Sequence, residues 1–219
     1  MTSKFIIFDR DGVINIEKNY LYKIEDFEYE NGVVESLKEL EKLGYKFIII
    51  TNQAGIAKGY YTEEDYYKLE KFIINDLNKK GIVIEKTYFC PHHPKGIGKY
   101  RKNCECRKPN KQNFLKAINE FNIDVKNSYM IGDRITDLIP AKELGFNTVL
   151  VKTGYGLKNI KEIEEKNLKS LIMENIPEFV DYIMEIAFYI KYDIKKKILG
   201  KELIGMTCNN ALENTKDLN

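Results

Sequence analysis

Two carboxylates, Asp9 and Asp11, close a short apolar run, Phe5 to Phe8, and Gly12 follows at once. At a spacing of two on an extended chain, both side chains project to one side. Two unpaired carboxylates so close repel unless a cation lies between them. A hard, oxygen-seeking ion such as Mg2+ is the natural partner. Three further polar clusters recur downstream: Thr51-Asn52-Gln53, Lys108 within Cys106-Arg107-Lys108-Pro109, and Gly132-Asp133-Arg134 with Asp137 four residues past Asp133. Taken singly, each is ordinary turn or surface chemistry. Taken together they meet the needs of phosphoryl transfer, namely charge neutralisation, an in-line nucleophile and donors for the equatorial oxygens. Asp9 would be the nucleophile and form an aspartyl-phosphate. Asp11 would protonate the leaving oxygen and then take a proton from the hydrolytic water. Thr51 offers a hydroxyl, Lys108 a compact cation for the same phosphoryl group, and Asp133 a third carboxylate for the metal. Asp137 either orients this cluster or favours a helix N-terminus.

A second set of ligands lies between these motifs. Cys90-Pro91-His92 and Cys104-Glu105-Cys106 gather three of the four cysteines of the chain. Three thiolates and one imidazole suit tetrahedral Zn2+, and a closed four-ligand site is structural. Either His92 or His93 could supply the imidazole; otherwise His93 reads as an exposed loop histidine. The loop so tied, 90–106, carries Lys95, Lys99, Arg101 and Lys102, and it runs straight into Arg107-Lys108.

The elements that must position these groups read as an alternation of strands and helices. Phe5–Phe8, Phe47–Ile50, Val83–Phe89, Tyr129–Ile131 and Thr148–Val151 are short apolar strands. Helical stripes separate them. Val33, Val34, Leu37, Leu40 and Leu43 form one, and Tyr66, Leu69, Phe72, Ile73 and Leu77, behind a Thr62-x-x-Asp65 cap, form the next. Phe114, Ala117, Ile118 and Phe121 form a third, and 137–144 a fourth. The fold class predicted is α/β, a doubly wound parallel sheet of Rossmann-like type. Its parallel strands place Asp9, Thr51 and Asp133 on one edge. Leu168–Met173 is a further edge strand, and Ile176–Leu199 a helix stopped by Gly200. We expect a domain over 1–190 and a C-terminal helical extension with a polar tail over 191–219.

The chain has 219 residues and 35 basic against 33 acidic side chains, so its charge advertises neither nucleic acid nor membrane. No run approaches the ~18 apolar residues of a membrane span. A cytoplasmic protein with reduced cysteines is expected.

The motifs FDRDGV at Phe8–Val13, TNQ at Thr51–Gln53, CRKP around Lys108 and GDRITD at Gly132–Asp137 make the sequence resemble the haloacid dehalogenase superfamily of aspartate-nucleophile phosphatases. Within it, FDRDGV, TNQAGIAKG and CRKP resemble the branch of histidinol-phosphatases and heptose-bisphosphate phosphatases. The resemblance implies Mg2+ on Asp9, the backbone carbonyl of Asp11 and Asp133. It also implies Thr51, Asn52, Gln53 and Lys108 around the phosphoryl group, and Arg107 and Arg134 near the substrate. It favours His92 as the zinc ligand. Cap domains of this superfamily are inserted between motifs, and neither 12–50 nor 54–105 is long enough to fold one of typical size. An uncapped site is therefore expected, with a zinc-bound loop taking part in recognition. The substrate implied is a small phosphorylated sugar, D-glycero-D-manno-heptose 1,7-bisphosphate cleaved at the 7-phosphate. Histidinol phosphate is the alternative, although GDRITD leans toward it. The eleven residues between His92 and Cys104 favour the heptose type. From other classes, a phospho-accepting receiver-like domain would need neither Asp11 nor a zinc loop, and a zinc-organised nucleic-acid module would bind with steep salt dependence. A monomer is expected, with the C-terminal helix as the element through which an oligomer would form.

Overall fold

The computed structural model describes residues 2–189 and 191–192. Six parallel strands form one sheet in the order β3-β2-β1-β4-β5-β6. They are β1 (Phe5–Phe8), β2 (Lys46–Asn52), β3 (Ile84–Cys90), β4 (Tyr129–Gly132), β5 (Asn147–Val151) and β6 (Leu171–Met173). Helices α1 (Val33–Lys42), α2 (Ala54–Ala57), α3 (Glu63–Lys79), α4 (Gln112–Phe121), α5 (Ile135–Glu143) and α6 (Gly156–Glu165) connect them. β1 is central, with Phe8 opposite Ile49 on one side and Ile131 on the other. Strand order reverses between β1 and β4, and in open α/β sheets ligands bind at that switch point, beyond the carboxyl ends.

Every residue of β1 is buried, as a strand covered on both faces requires. Ile7, Ile48, Ile50 and Met130 line one face and pack with Phe114, Ala117, Leu138, Ala141 and Phe146. Phe8 and Phe47 have the opposite parity and meet on the other face, rings 6.0 Å apart. The Thr62–Asp65 capping box that starts α3 is formed in both directions.

Some elements depart from expectation. Phe72 is one-third exposed rather than core. The buried stripe of α3 is Tyr66, Leu69, Ile73 and Leu77, and Phe72 lies beside it, edge-on to Phe27 at 5.7 Å. Cys90 ends β3 instead of opening the loop. α5 starts at Ile135, two residues early, because Asp137 reaches back to the Arg134 N–H. α2 lies in the glycine-bearing stretch 54–61, which reads as a loop, α6 in a stretch with no clear sequence signal, and β6 begins at Leu171 rather than at 168.

Two compact units are distinguished, 1–178 and 179–219. The described part of the second is helical through 189 and at 191–192, with Phe188, Tyr189 and Tyr192 exposed. Apart from 191–192, the expected extension and tail, with Gly200, lie outside the described residues. No helix among the described residues is long and apolar enough to cross a membrane.

Candidate active site

The carboxyl ends of β1, β2 and β4 bring the motifs to one place. Asp9 directly follows β1, and its N–H donates to the Ile131 carbonyl of β4 at 3.0 Å. Thr51 is the penultimate residue of β2, and Asp133 directly follows β4. Lys108 arrives on the loop between β3 and α4. Its ammonium sits 2.6 Å from the Ile50 carbonyl, 3.0 Å from Asp9 Oδ1 and 2.8 Å from Asp137 Oδ1. Burial alone would lower its pKa; Asp137 and Asp9 outweigh burial and hold it charged. Asn52 faces the backbone of Lys108. Its Oδ1 accepts from the Lys108 N–H and its Nδ2 donates to the Lys108 carbonyl, both at 3.0 Å.

The carboxylates of Asp9, Asp133 and Asp137 offer oxygens within 4.8 Å of one another, all three buried. Asp133 Oδ2 accepts from the Tyr155 N–H at 2.8 Å, while its buried Oδ1 has no hydrogen-bond partner. Burial, then Asp137 and Asp9, push the Asp133 carboxyl up to about 8. Burial also raises Asp137, against the pull of Lys108. With Lys108 on Oδ1 and the Arg134 N–H at 3.0 Å on Oδ2, we assign Asp137 as ionised and Asp133 as the protonated member. A divalent cation fits this set, because it would partner the orphan oxygen and offset the excess negative charge. Gly12, at φ +81°, and Gly154 close against the same carboxylate; a Cβ on Gly12 would lie 2.5 Å from Asp133 Oδ2.

Asp11 lines the pocket, but its carboxylate does not join that trio. The strand ends at Phe8, so Asp9 and Asp11 do not share one extended segment with a cation between their side chains. Instead, Arg10 donates to both Asp11 oxygens, at 2.9 and 3.0 Å, Asn15 Nδ2 donates to Oδ1 at 3.0 Å, and Gln53 Nε2 to Oδ2 at 2.9 Å. Gln53 Nε2 also donates to Thr51 Oγ1 at 3.0 Å, and Tyr61 donates to Gln53 Oε1. Gln53 therefore faces Asp11 and Thr51. Arg10, with its guanidinium fully buried, carried no sequence signal beyond its place between the two acids.

These groups floor a cavity of about 300 Å3. Arg107 and Arg134 reach its wall, and Arg107 also donates to the His92 carbonyl at 3.3 Å. Glu17, Asn19, Tyr20, Lys58, His93 and Tyr155 line it as well, and sequence reasoning missed all six. His93 is not an exposed loop histidine: it is half-buried on the pocket wall, and burial, then Arg107, Lys58 and Lys95, lower its pKa. Its place next to His92 within loop 90–106 was the available signal. Glu17 to Tyr20 carried none, since the turn gains its meaning only when folded over the pocket.

His92, by contrast, joins the sulfurs. Cys90 Sγ lies 3.5 Å from Cys104 Sγ and 3.2 Å from Cys106 Sγ, and His92 Nδ1 lies 3.4 Å from Cys106 Sγ. Cys104 and Cys106 sulfurs are 3.4 Å apart. No pair approaches the ~2.05 Å of a disulfide. These separations are near the edge of a tetrahedron with ~2.3 Å metal–sulfur bonds, so the four ligands fit Zn2+. Burial, with Cys106 beside it, drives the Cys90 thiol well up.

Comparison with known proteins agrees with this geometry. The HAD-hydrolase-like family matches residues 105–178. The D-glycero-beta-D-manno-heptose-1,7-bisphosphate 7-phosphatase of Haemophilus ducreyi is 38% identical over 185 residues, covering 84% of this chain and 100% of that protein. The D-glycero-alpha-D-manno-heptose-1,7-bisphosphate 7-phosphatase of Photorhabdus laumondii is 47% identical over 154 residues, covering 69% of this chain and 84% of that one. Among solved structures, the D,D-heptose 1.7-bisphosphate phosphatase of B. bronchiseptica, complexed with magnesium and phosphate, has the same fold, with a TM-score of 0.73 at 24% identity over 83% of this chain and 98% of that one. The chain belongs to the haloacid dehalogenase superfamily of phosphatases, in the branch of the heptose-1,7-bisphosphate 7-phosphatases.

Proposed function

We propose that this enzyme removes the 7-phosphate of D-glycero-D-manno-heptose 1,7-bisphosphate through an aspartyl-phosphate on Asp9. The observation that carries the reading is the Lys108 ammonium fixed between Asp9 and Asp137 beneath a rim that holds Lys58, Arg107 and Arg134. One phosphoryl group at Asp9 leaves those three rim cations without a substrate anion. A second phosphate would engage them, and the arginine fork suits phosphate. The relatives' names supply the identity of the sugar.

Asp9 attacks phosphorus as the bond to the sugar oxygen breaks. Asp11 gives a proton to that oxygen, then takes one from the water that releases phosphate. Thr51 Oγ1 accepts from Gln53, which leaves its own O–H to donate to a phosphoryl oxygen. Asn52 sets the Lys108 backbone, and Gln53 orients Asp11 and Thr51. Asp9, Asp133 and the Asp11 carbonyl would hold Mg2+, with Asp137 beside them, and the ion supplies charge neutralisation on the phosphoryl group.

Cys90, His92, Cys104 and Cys106 would hold a structural Zn2+. It would fix loop 90–106 and the start of Arg107-Lys108, and in an uncapped site that loop takes part in recognition. We read 1–190 as the catalytic domain, 191–219 as an extension, and the enzyme as a cytoplasmic monomer.

The test is phosphate release from the heptose 1,7-bisphosphate, the heptose 7-phosphate and histidinol phosphate under matched conditions. The bisphosphate should show the highest kcat/KM, because the cationic amine of histidinol phosphate meets a basic rim. Arg107→Ala should erode that preference more than it slows a small phosphate ester. A higher kcat/KM on histidinol phosphate overturns the substrate assignment.

A further inference from the structure

The loop after β5, Thr153 to Gly156, has no part in the chemistry above, yet it is bound to the site. Thr153 Oγ1 donates to the Gly12 carbonyl at 2.7 Å, and the Tyr155 N–H donates to Asp133 Oδ2 at 2.8 Å. Asn159 Nδ2 donates to the Tyr155 carbonyl at 2.9 Å. The Tyr155 backbone is thus held on both sides, and its side chain reaches over the pocket rim. There the Arg134 guanidinium carbon lies 3.7 Å from the ring centroid, and the Tyr155 hydroxyl donates to Asn19 Oδ1 at 2.8 Å.

One contact holds the Arg134 guanidinium and the other the Asn19–Tyr20 turn. The nearest carboxylate to the Arg134 guanidinium is Glu17, at 3.9 Å, beyond hydrogen-bond range. A ring face holds the plane of a guanidinium but leaves its N–H edge open to an anion. Asn19 and Tyr20 have left-handed backbones, φ 53° and 73°. Consecutive non-glycine residues in that region persist only where surrounding contacts impose it. The Glu17 carboxylate accepting from the Asn19 N–H at 2.6 Å, the Lys58–Tyr20 hydrogen bond and the Tyr155 hydroxyl are those contacts.

We infer that Tyr155 is a positioning residue that presents Arg134 to the phosphate on the non-reacting end of the substrate and fixes the Asn19–Tyr20 turn beside it. The inference rests on the bisphosphate reading above. An arginine already immobilised loses less freedom on binding, so the gain falls on affinity rather than on the chemical step.

The experiment compares wild type, Tyr155→Phe, Tyr155→Leu, Arg134→Ala and the Tyr155→Leu/Arg134→Ala double variant on the heptose 1,7-bisphosphate and the 7-monophosphate. In Tyr155→Leu the KM for the bisphosphate should rise about tenfold, the scale of a lost partly desolvated cation–π contact. Its kcat should stay within about threefold, so the loss lies in binding. Tyr155→Phe keeps the stack and should show a smaller rise. Once Arg134 is alanine, adding Tyr155→Leu should raise KM only by about what Tyr155→Phe does alone, because the stack is already lost and only the Asn19 hydrogen bond remains to lose. Additive effects in the double variant, or an equal fall in kcat on both substrates, overturn the proposal. A wild type without preference for the bisphosphate overturns the substrate reading instead; additivity on its best substrate then still decides the role of Tyr155.

Discussion

Asn52 holds Lys108 by its main chain rather than by its charge, with the amide oxygen on the Lys108 N–H and the amide nitrogen on the Lys108 carbonyl, each at 3.0 Å. The ammonium is thereby placed between two buried carboxylates, with its third donor on the Ile50 carbonyl. Asn52→Ala should destabilise the fold by roughly 1–3 kcal/mol, since two polar groups lose their partner. It should also lower kcat about tenfold, the order expected for a displaced charge-stabilising group. Urea unfolding and steady-state kinetics on the same preparation check both; a variant unchanged in rate would make Asn52 purely structural.

Asp9→Asn should abolish turnover and leave the fold intact, because an amide is no nucleophile. Asp11→Asn should fall by ~10²-fold or more on a sugar phosphate. The loss should be smaller in the first step on p-nitrophenyl phosphate, whose leaving group needs no proton. Rapid-quench measurement of phosphoenzyme formation separates the steps. Near-normal turnover in either variant would defeat the mechanism.

The raised Asp133 carboxyl sets a pH dependence. Its pKa is about 8 in the folded, metal-free protein and about 3.9 in an unfolded chain. Between those values the folded state binds the extra proton, so stability present near pH 4 is lost as pH rises toward 8. Thermal unfolding without Mg2+ should show Tm falling across that window. Added Mg2+ favours the ionised form and should flatten the fall, and Asp133→Asn should remove it. A midpoint that climbs with pH in Mg2+-free buffer would contradict the assignment.

Cys104→Ser should lower stability, raise KM and release the loop to proteolysis, because four ligands within 4.8 Å lose one corner. Phosphoenzyme formation should survive in part, as none of the four touches Asp9. Elemental analysis of the purified protein should find one zinc per chain, and its absence would end the reading of the loop.

Local order alone determined much of this protein. An apolar quartet ending in Asp9, a β-branched run ending in Thr51 and a strand ending in Gly132-Asp133 specify parallel strands, and parallel strands put their carboxyl ends on one edge whatever the details of packing. Metal-ligand spacing is equally local, so His92 and three cysteines were legible. Side-chain direction past a strand end is not local. The chain turns after Phe8, so the Asp11 carboxylate meets Arg10 and Gln53, while Asp137 takes the third place beside Asp9 and Asp133. Asp137 was left open between helix and cluster; folded, one oxygen serves each. Phe72 carried the apolarity of a core residue, but it flanks the stripe of Tyr66, Leu69, Ile73 and Leu77, where Phe27 covers only part of its ring. The rim of Glu17, Asn19, Tyr20, Lys58, His93 and Tyr155 is drawn from four distant stretches. Only the tertiary fold closes those stretches over one pocket, because a binding wall is a property of surfaces that meet and no residue in it needs a periodicity or a motif of its own.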